Sequence, residues 1–437
     1  MSYMMRGIFW SGAYLVLVLL PLFILIVGPV PAGSGVLWDL SAACGFVGAA
    51  MMATMFLLTA RLKLVTAPFG IDIIYYFHRL ISMVAFAFII VHPLLLLVAD
   101  PRLLYFIRPQ ASPYHLRAGI AALVCMLLLM LSSLWRQKLG IHYERWRFWH
   151  VFLSILAMVM TLIHIEGVGH YVNSPGAALL WRGITLTCIL VVVYVRLVKP
   201  LWLMKHPYRI VDVQREAGNA WTLSLRPQHH SAVSFMPGQF AWLTLWSSPF
   251  AMKEHPFSIS SSAETDTIRF TIKELGDFTR SIGQCRPGQV AFVDAPYGAF
   301  SIDRLPSAGY VFIAGGVGIA PIMSMLRTMA DRRDQRPVLL FYAYNTWEEM
   351  TFREELQALR EKLSLEVVFV LKKPPPEWTG ETGLIGEEIL STYVTDSCRR
   401  FEFLICGPVP MIEAAERSLY RIGIPMRQIH SELFDLV

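Results

Sequence analysis

The chain has 437 residues, of which 55% are hydrophobic and only 16% charged, and its mean hydropathy is positive. This is longer than one ordinary domain and too apolar for a wholly soluble protein. The net charge of +6 is not laid out as a basic stripe interleaved with aromatics, so it does not point to nucleic acid.

Six apolar runs open the chain: Ile8–Val30, Trp38–Ala60, Asp72–Val98, Leu116–Leu134, Phe148–Ile165 and Ala177–Val198. Most are near the ~20 residues that a spanning helix needs, so a lipid bilayer is the first partner implied. Arg6 before the first run and Pro31-Ala32-Gly33-Ser34 after it imitate a secretory signal. The apolar part is too long for that, and the run reads as a retained helix. Arg61, Lys63, Arg136, Lys138, Arg145, Arg147, Arg196, Lys199, Lys205 and Arg209 flank one set of ends, against Arg102, Arg108, Arg117 and Arg182 at the other. The positive-inside tendency then places the amino terminus and the soluble half in the cytoplasm. Six cysteines, Cys44, Cys125, Cys188, Cys285, Cys398 and Cys406, show no metal or disulfide spacing and suit a reducing compartment.

Runs three and five each carry two histidines at one repeated spacing, His78 with His92 and His150 with His164. At ~100° and ~1.5 Å per residue, each pair lies within ~40° of one helix face and ~21 Å apart along it. A lone intramembrane histidine is as readily an interhelical hydrogen-bonding group. The repetition favours haem ligation, with His78 opposite His150 near the inner face and His92 opposite His164 near the outer. Pro93 removes a backbone donor beside His92, and Arg79 is placed to meet a haem propionate. Two axial histidines leave iron no open position, which suits electron transfer. His115, His142 and His170, on loops, break the spacing and read as non-ligands.

Beyond a boundary near Lys199–Pro207 the runs shrink to strand length. Tyr208–Val213, Ala220–Arg226, Gln239–Trp246, His255–Ser260, Thr267–Glu274 and Gln289–Asp294, without intervening helices, suggest a small antiparallel barrel. It contains His255-Pro256-Phe257-Ser258-Ile259-Ser260-Ser261, Gly276-Asp277-Phe278-Thr279 and Pro296-Tyr297-Gly298. Hydroxyls, an aromatic ring and amides beside glycine suit a phosphate and a flat ring, and equally suit turn caps.

From Gly309 strands and helices alternate. Tyr310–Ala314, Val338–Tyr344, Glu366–Leu371, Phe401–Cys406 and Gln428–Leu433 read as strands. Ile319–Met329, Glu348–Lys362, Ile385–Thr392 and Met411–Tyr420 read as helices, giving a doubly wound parallel sheet. Its first strand enters Gly315-Gly316-Val317-Gly318-Ile319-Ala320-Pro321 and then a helix, the context in which glycines and a helix terminus receive a diphosphate. Cys406-Gly407-Pro408 follows the fourth strand at the same carboxyl edge.

These features, with Gly380-Glu381-Thr382-Gly383 and the terminal Glu432-Leu433-Phe434, resemble the NADPH oxidase and ferric reductase superfamily in a single-chain bacterial form. The fold implied is a membrane all-α six-helix haem-binding bundle followed by a ferredoxin-NADP reductase-like module, an antiparallel β-barrel plus a doubly wound α/β nucleotide-binding domain. The segments would be 1–205, 206–305 and 306–437. The resemblance implies electron flow from cytosolic NADPH or NADH to FAD, then through two b-type haems to dioxygen or a ferric chelate outside, in the cell's inner membrane and without an obligate protein partner. It implies that His255, Pro256, Phe257, Ser258 and Ser260 line the flavin and that Gly276, Asp277, Phe278 and Thr279 meet its pyrophosphate. Gly315, Gly316, Gly318, Pro321, Cys406, Gly407 and Pro408 would line the nicotinamide nucleotide. Phe434 either stacks on the isoalloxazine and moves for hydride transfer or packs on the barrel as a hydrophobic tail.

Two departures stand out. Asp435, Leu436 and Val437 follow Phe434, whose counterpart in the family often ends the chain. Where the family often places an arginine for the 2′-phosphate, this chain has Tyr344-Asn345-Thr346-Trp347-Glu348-Glu349, leaving Arg353 or Lys372 as substitutes and the nucleotide preference open. The absence of calcium-binding loops and long extensions points to a constitutive enzyme. On the outer side His115, His170, Arg117 and Arg182 are candidates for the acceptor site, where a cation would stabilise superoxide as it forms. Arg117 and Arg182 equally suit haem propionates or the membrane interface.

Overall fold

The computed structural model describes residues 3–27, 34–62, 71–108 and 110–433; Lys63, Pro31-Ala32-Gly33 and Phe434 through Val437 lie outside the described residues. The chain forms two compact units, Met1–Pro68 with Ile73–Lys199, and Phe69–Asp72 with Pro200–Val437.

The first unit is helical: α1 (Tyr3–Val27), α2 (Val36–Thr59), α3 (Ile71–Ala99), α4 (Tyr114–Leu134), α5 (Tyr143–Val168) and α6 (Pro175–Val193). Each is long and apolar enough to cross a membrane, and a helix satisfies its own backbone where no water can. The interior is small and soft, with Met52, Ala53, Cys125, Met126, Ala157, Met158 and Cys188 in one cluster. Leu19, Ile26, Leu94, Val98, Leu179 and Leu186 face outward, as lipid solvent permits. In α2, 61% of the most apolar window is buried, against 28% or less in the others. It is the central helix, and Gly48, Ala49, Ala50 and Ala53 let its neighbours approach closely.

Two boundaries differ from the hydropathy reading. Helix α5 begins at Tyr143 rather than Phe148 because Tyr143-Glu144-Arg145-Trp146-Arg147 continues the helix in polar and aromatic residues that an apolar window does not register. Helix α4 begins at Tyr114, so His115 sits in a helical first turn and not on a loop. After α6 the chain passes through a π turn, Tyr194–Val198, into α7 (Lys199–Lys205).

The second unit begins with β1 (Tyr208–Glu216), β2 (Ala220–Pro227), β3 (Phe240–Leu245), β4 (His255–Ser258), β5 (Ile268–Lys273) and β6 (Val290–Tyr297), with α8 (Asp277–Arg280) before the last. Their order is β4-β3-β6-β1-β2-β5, the pairs are antiparallel, and a bridge from Ile259 to Phe270 joins the two ends into a barrel. Ile210, Leu223, Leu225, Leu243, Ile259 and Phe270 fill it.

The parallel sheet comprises β7 (Tyr310–Gly315), β8 (Val338–Tyr344), β9 (Leu365–Leu371), a two-residue β10 (Glu381–Thr382), β11 (Glu402–Gly407) and β12 (Ile429–Leu433) in the order β10-β9-β8-β7-β11-β12. Helices α9 (Ile319–Asp331) and α10 (Arg353–Arg360) cover one face; α11 (Glu387–Tyr393) and α12 (Val409–Arg421) cover the other. The order reverses between β8 and β11 on either side of β7, so a crevice opens at their carboxyl ends. Helix α10 starts five residues later than expected. Phe352 has a left-handed backbone (φ 62), and Thr351 Oγ1 donates to the Ala217 carbonyl of the barrel at 3.1 Å, a tertiary tie that overrides local helix propensity.

The barrel is fastened to one polar face of α9. Ser324 Oγ donates to the Ser261 carbonyl (2.7 Å), Thr328 Oγ1 accepts from Ala263 N–H (2.9 Å), and Arg327 donates to the Ser260 carbonyl while gripping Glu355 of α10 at 2.6 and 2.7 Å. This sets the distance between the barrel and the nucleotide crevice.

Candidate functional site

In the first unit α3 and α5 bring the four spaced histidines together two by two. The ring centres of His78 and His150 are 6.4 Å apart and those of His92 and His164 are 6.1 Å apart. A metal ligated from both sides at ~2 Å holds two imidazole centres about 6 Å apart. Both separations match that spacing.

At one level main-chain carbonyls hold both Nδ1 atoms. His92 Nδ1 is 2.9 Å from the Ser41 carbonyl, and His164 Nδ1 is 2.9 Å from the His115 carbonyl. Only an N–H can meet a carbonyl, so Nδ1 carries the proton and Nε2 keeps its lone pair for a metal. At the other level His150 Nδ1 faces Ser133 Oγ at 3.3 Å, and the buried His78 Nδ1 has no hydrogen-bond partner among the described residues. Trp146 lies 4.9 Å from His150, with Arg136 over its ring at 5.8 Å. Arg79 is exposed beside His78.

On the barrel, β4 presents His255, Pro256, Phe257 and Ser258. The Ser258 hydroxyl is buried with no partner among the described residues, a donor that the edge of a flat heterocycle would satisfy. Phe278 stacks on His255 at 3.8 Å and lies parallel to Phe257 at 6.0 Å, forming an aromatic wall. Thr279 Oγ1 accepts from the amides of Leu275 and Gly276 at 2.8 Å each, which fixes the Gly276-Asp277-Phe278-Thr279 turn. Ser260 is fully buried and bonded to Thr271 Oγ1 at 2.9 Å.

At the sheet's carboxyl edge the glycines divide the work. A Cβ at Gly318 would lie 2.2 Å from the Cys406 carbonyl oxygen, and one at Gly315 would lie 2.5 Å from Met411 Sδ. These two let β7, β11 and α12 close together. Gly316, with φ +55, has nothing within 4 Å of such an atom and leaves its backbone open to a ligand. Pro321 is buried in the first turn of α9, and Gly407-Pro408 leads into α12. Burial, and secondly the Glu432 carboxylate, push the Cys406 thiol well above its usual range. It is a neutral wall at physiological pH. Gly298 (φ +99) brings Glu432 Oε1 within 3.3 Å of its Cβ position, so β12 reaches the barrel rim.

Three families match in series. Residues 44–161 match the ferric reductase like transmembrane component, 216–301 an FAD-binding domain and 312–417 the oxidoreductase NAD-binding domain. The chain has the architecture of the NADPH oxidase and ferric reductase-like flavocytochromes. The chain is a multi-pass membrane protein, and its second unit carries the domains of NAD(P)H oxidoreductases. It is 29% identical to the anthranilate 1,2-dioxygenase electron transfer component of Acinetobacter baylyi over 47% of this chain and 60% of that one. It is 28% identical to the sulfhydrogenase 2 subunit gamma of Pyrococcus furiosus over 52% and 84%. The chain thus spans about three fifths of the first relative's length. A flavohemoglobin from Malassezia yamatoensis, solved with FAD and heme, aligns over 91% of this chain and 98% of its own at 16% identity and a TM-score of 0.51, a likeness of fold alone.

Among the other expected residues, Arg117 and Arg182 are exposed, and His115 contributes its main-chain carbonyl to His164. Phe434 lies outside the described residues. Sequence reasoning passed over Ser41, Ser133, Gly45 and Gly119, which touch the histidine rings. Carbonyl acceptors leave no side-chain signature, and a glycine in an apolar helix reads as packing.

Proposed function

We propose that the chain is a transmembrane NAD(P)H oxidase that carries electrons from cytosolic NADPH or NADH through FAD and two b-type haems to dioxygen on the outer side, giving superoxide or hydrogen peroxide. The observation that carries the proposal is the pair of facing imidazoles at 6.4 and 6.1 Å, stacked along the same two helices. When bound, FAD supplies the exchange between two-electron and one-electron chemistry, and haem supplies one-electron carriage.

The chain's own residues bind, orient and exclude water. His78, His92, His150 and His164 would hold the haem irons, and main-chain carbonyls fix the Nδ1 protons of His92 and His164. Residues His255 through Ser258 and the Gly276–Thr279 turn hold the flavin, while Gly316, Pro321 and Cys406-Gly407-Pro408 form the nucleotide crevice. Lys372, whose amide bonds to the Tyr344 carbonyl at 3.0 Å at the end of β8, is one candidate to receive a 2′-phosphate. Arg353 lies 4.8 Å over the Trp347 ring. Segments 1–205, 206–305 and 306–437 divide the work into wire, flavin adapter and hydride source. The amino terminus and the second unit lie in the cytoplasm, a reading supported by the excess of basic residues at one set of helix ends, and the membrane in this reading is the cell's inner one.

A ferric chelate is the alternative acceptor for the same electron path, and the match of residues 44–161 to the ferric reductase like component is compatible with either. Rapid mixing separates the two. The purified protein is reduced anaerobically with NADPH, and its haem Soret band is followed on addition of dioxygen or a ferric chelate. Fast reoxidation by oxygen, with a superoxide signal abolished by superoxide dismutase, supports the oxidase. Slow reaction with oxygen and fast reaction with the chelate makes it a metalloreductase, and no haem reduction by NADPH refutes both.

A further inference from the structure

We infer that Gly45 and Gly119 are positioning residues that uncover the main-chain acceptors of His92 and His164, making the metal site at that level more electron-donating than the one at His78 and His150. This rests on the haem-ligation reading above. In an α-helix a side chain covers the turn preceding its own Cα, so residue i+4 shields the carbonyl of residue i. Gly45 follows Ser41 by four residues on α2, and Gly119 follows His115 by four on α4. In both cases the uncovered carbonyl is the one that the imidazole reaches, at 2.9 Å. A Cβ at Gly45 would sit 3.1 Å from His92 Nδ1, and one at Gly119 would sit 2.9 Å from His164 Nδ1. Two helices thus place the same carbonyl and glycine on opposite sides of one site.

The other level lacks this device. Its acceptors are a hydroxyl 3.3 Å from His150 Nδ1 and none for His78 Nδ1 among the described residues. A proton shared with a carbonyl raises the basicity of the opposite nitrogen, which stabilises the oxidised metal. Ser41 reinforces the arrangement at His92, since its hydroxyl donates to the His92 carbonyl at 2.7 Å and lies 2.9 Å from Nδ1.

The test is a spectroelectrochemical titration of the full-length protein, with low-temperature EPR of its oxidised form, for wild type, Gly45→Ala, Gly119→Ala and Gly48→Ala. The last is the control, because its Cβ would crowd Ile89 Cγ1 at 2.9 Å without touching an imidazole. Two haems per flavin are expected throughout. Gly45→Ala and Gly119→Ala should each move the same one of the two reduction steps upward and alter one of two low-spin signals, while Gly48→Ala leaves both. Unmoved steps in both variants, or an equal shift in Gly48→Ala, would overturn the inference. If Gly119→Ala loses haem, Gly45→Ala, which needs the smaller adjustment, decides. A wild-type protein that binds no haem refutes the underlying reading instead, before any variant is compared.

Discussion

A methyl group separates the structural glycines of the nucleotide crevice from the ligand-facing one. Gly318→Ala would drive Cβ into the Cys406 carbonyl oxygen at 2.2 Å, which only backbone movement relieves. It should cost about 1–3 kcal/mol, measured as a fall in thermal unfolding temperature of the detergent-solubilised protein. Gly316→Ala meets nothing within 4 Å and carries only the left-handed strain at φ +55, about 1 kcal/mol. Its expected signature is a raised KM for the nicotinamide nucleotide with a small change in unfolding temperature, and equal effects on both quantities at the two positions would refute this division. The Gly-Gly-Val-Gly run was legible in the sequence as a strand-to-helix turn. Which glycine meets the ligand and which meets Cys406 was not, because that depends on β11, about ninety residues further along the chain.

Helix α9 shows the same limit at the scale of an element. Its apolar stripe could be read from the periodicity, but Ser324, Arg327 and Thr328 look like ordinary polar positions until the barrel is docked on them. Thr328→Val keeps the shape and leaves the Ala263 N–H without its acceptor, at a cost of about 1–3 kcal/mol. Thermal unfolding should register that loss, and flavin reduction by NADH or NADPH should slow in rapid mixing as the barrel loosens from the crevice. Beside this joint Glu216 is half-buried. Burial raises its carboxyl above the usual range, offset in part by the Thr222 hydroxyl bond and by Arg327 and Arg269, and assisted by Glu355. A folded-state pKa raised in this way contributes stability that is fully present below the unfolded carboxylate pKa and is lost as pH rises through the folded one. Glu216→Gln should therefore unfold at a higher temperature than wild type at pH 7–8, with the gain vanishing near pH 4. A gain that persists unchanged at pH 4 would assign the effect to packing.

For the whole molecule, the histidine pairing makes a stoichiometric prediction. His150→Ala and His164→Ala each remove one ligand from a different facing pair. Each should lower bound haem from two to one per flavin in a pyridine haemochrome assay, with flavin content unchanged, and retention of two haems in either variant would refute the assignment. The six spans, the repeated histidine spacing, the barrel strands and the alternating strands and helices all follow from local periodicity. Solvent, lipid or a sheet face imposes that periodicity residue by residue, and so the sequence by itself determined them. The start of α10 at Arg353, the burial of Ser260 and the helical place of His115 were decided elsewhere, by a barrel carbonyl, a Thr271 hydroxyl and a helix that outruns its apolar stretch. The carbonyls of Ser41 and His115, which fix the protons of His92 and His164, belong to residues about fifty positions away from those histidines. Every residue carries a carbonyl, and only the packing of α2 and α4 against α3 and α5 decides which one a buried imidazole meets.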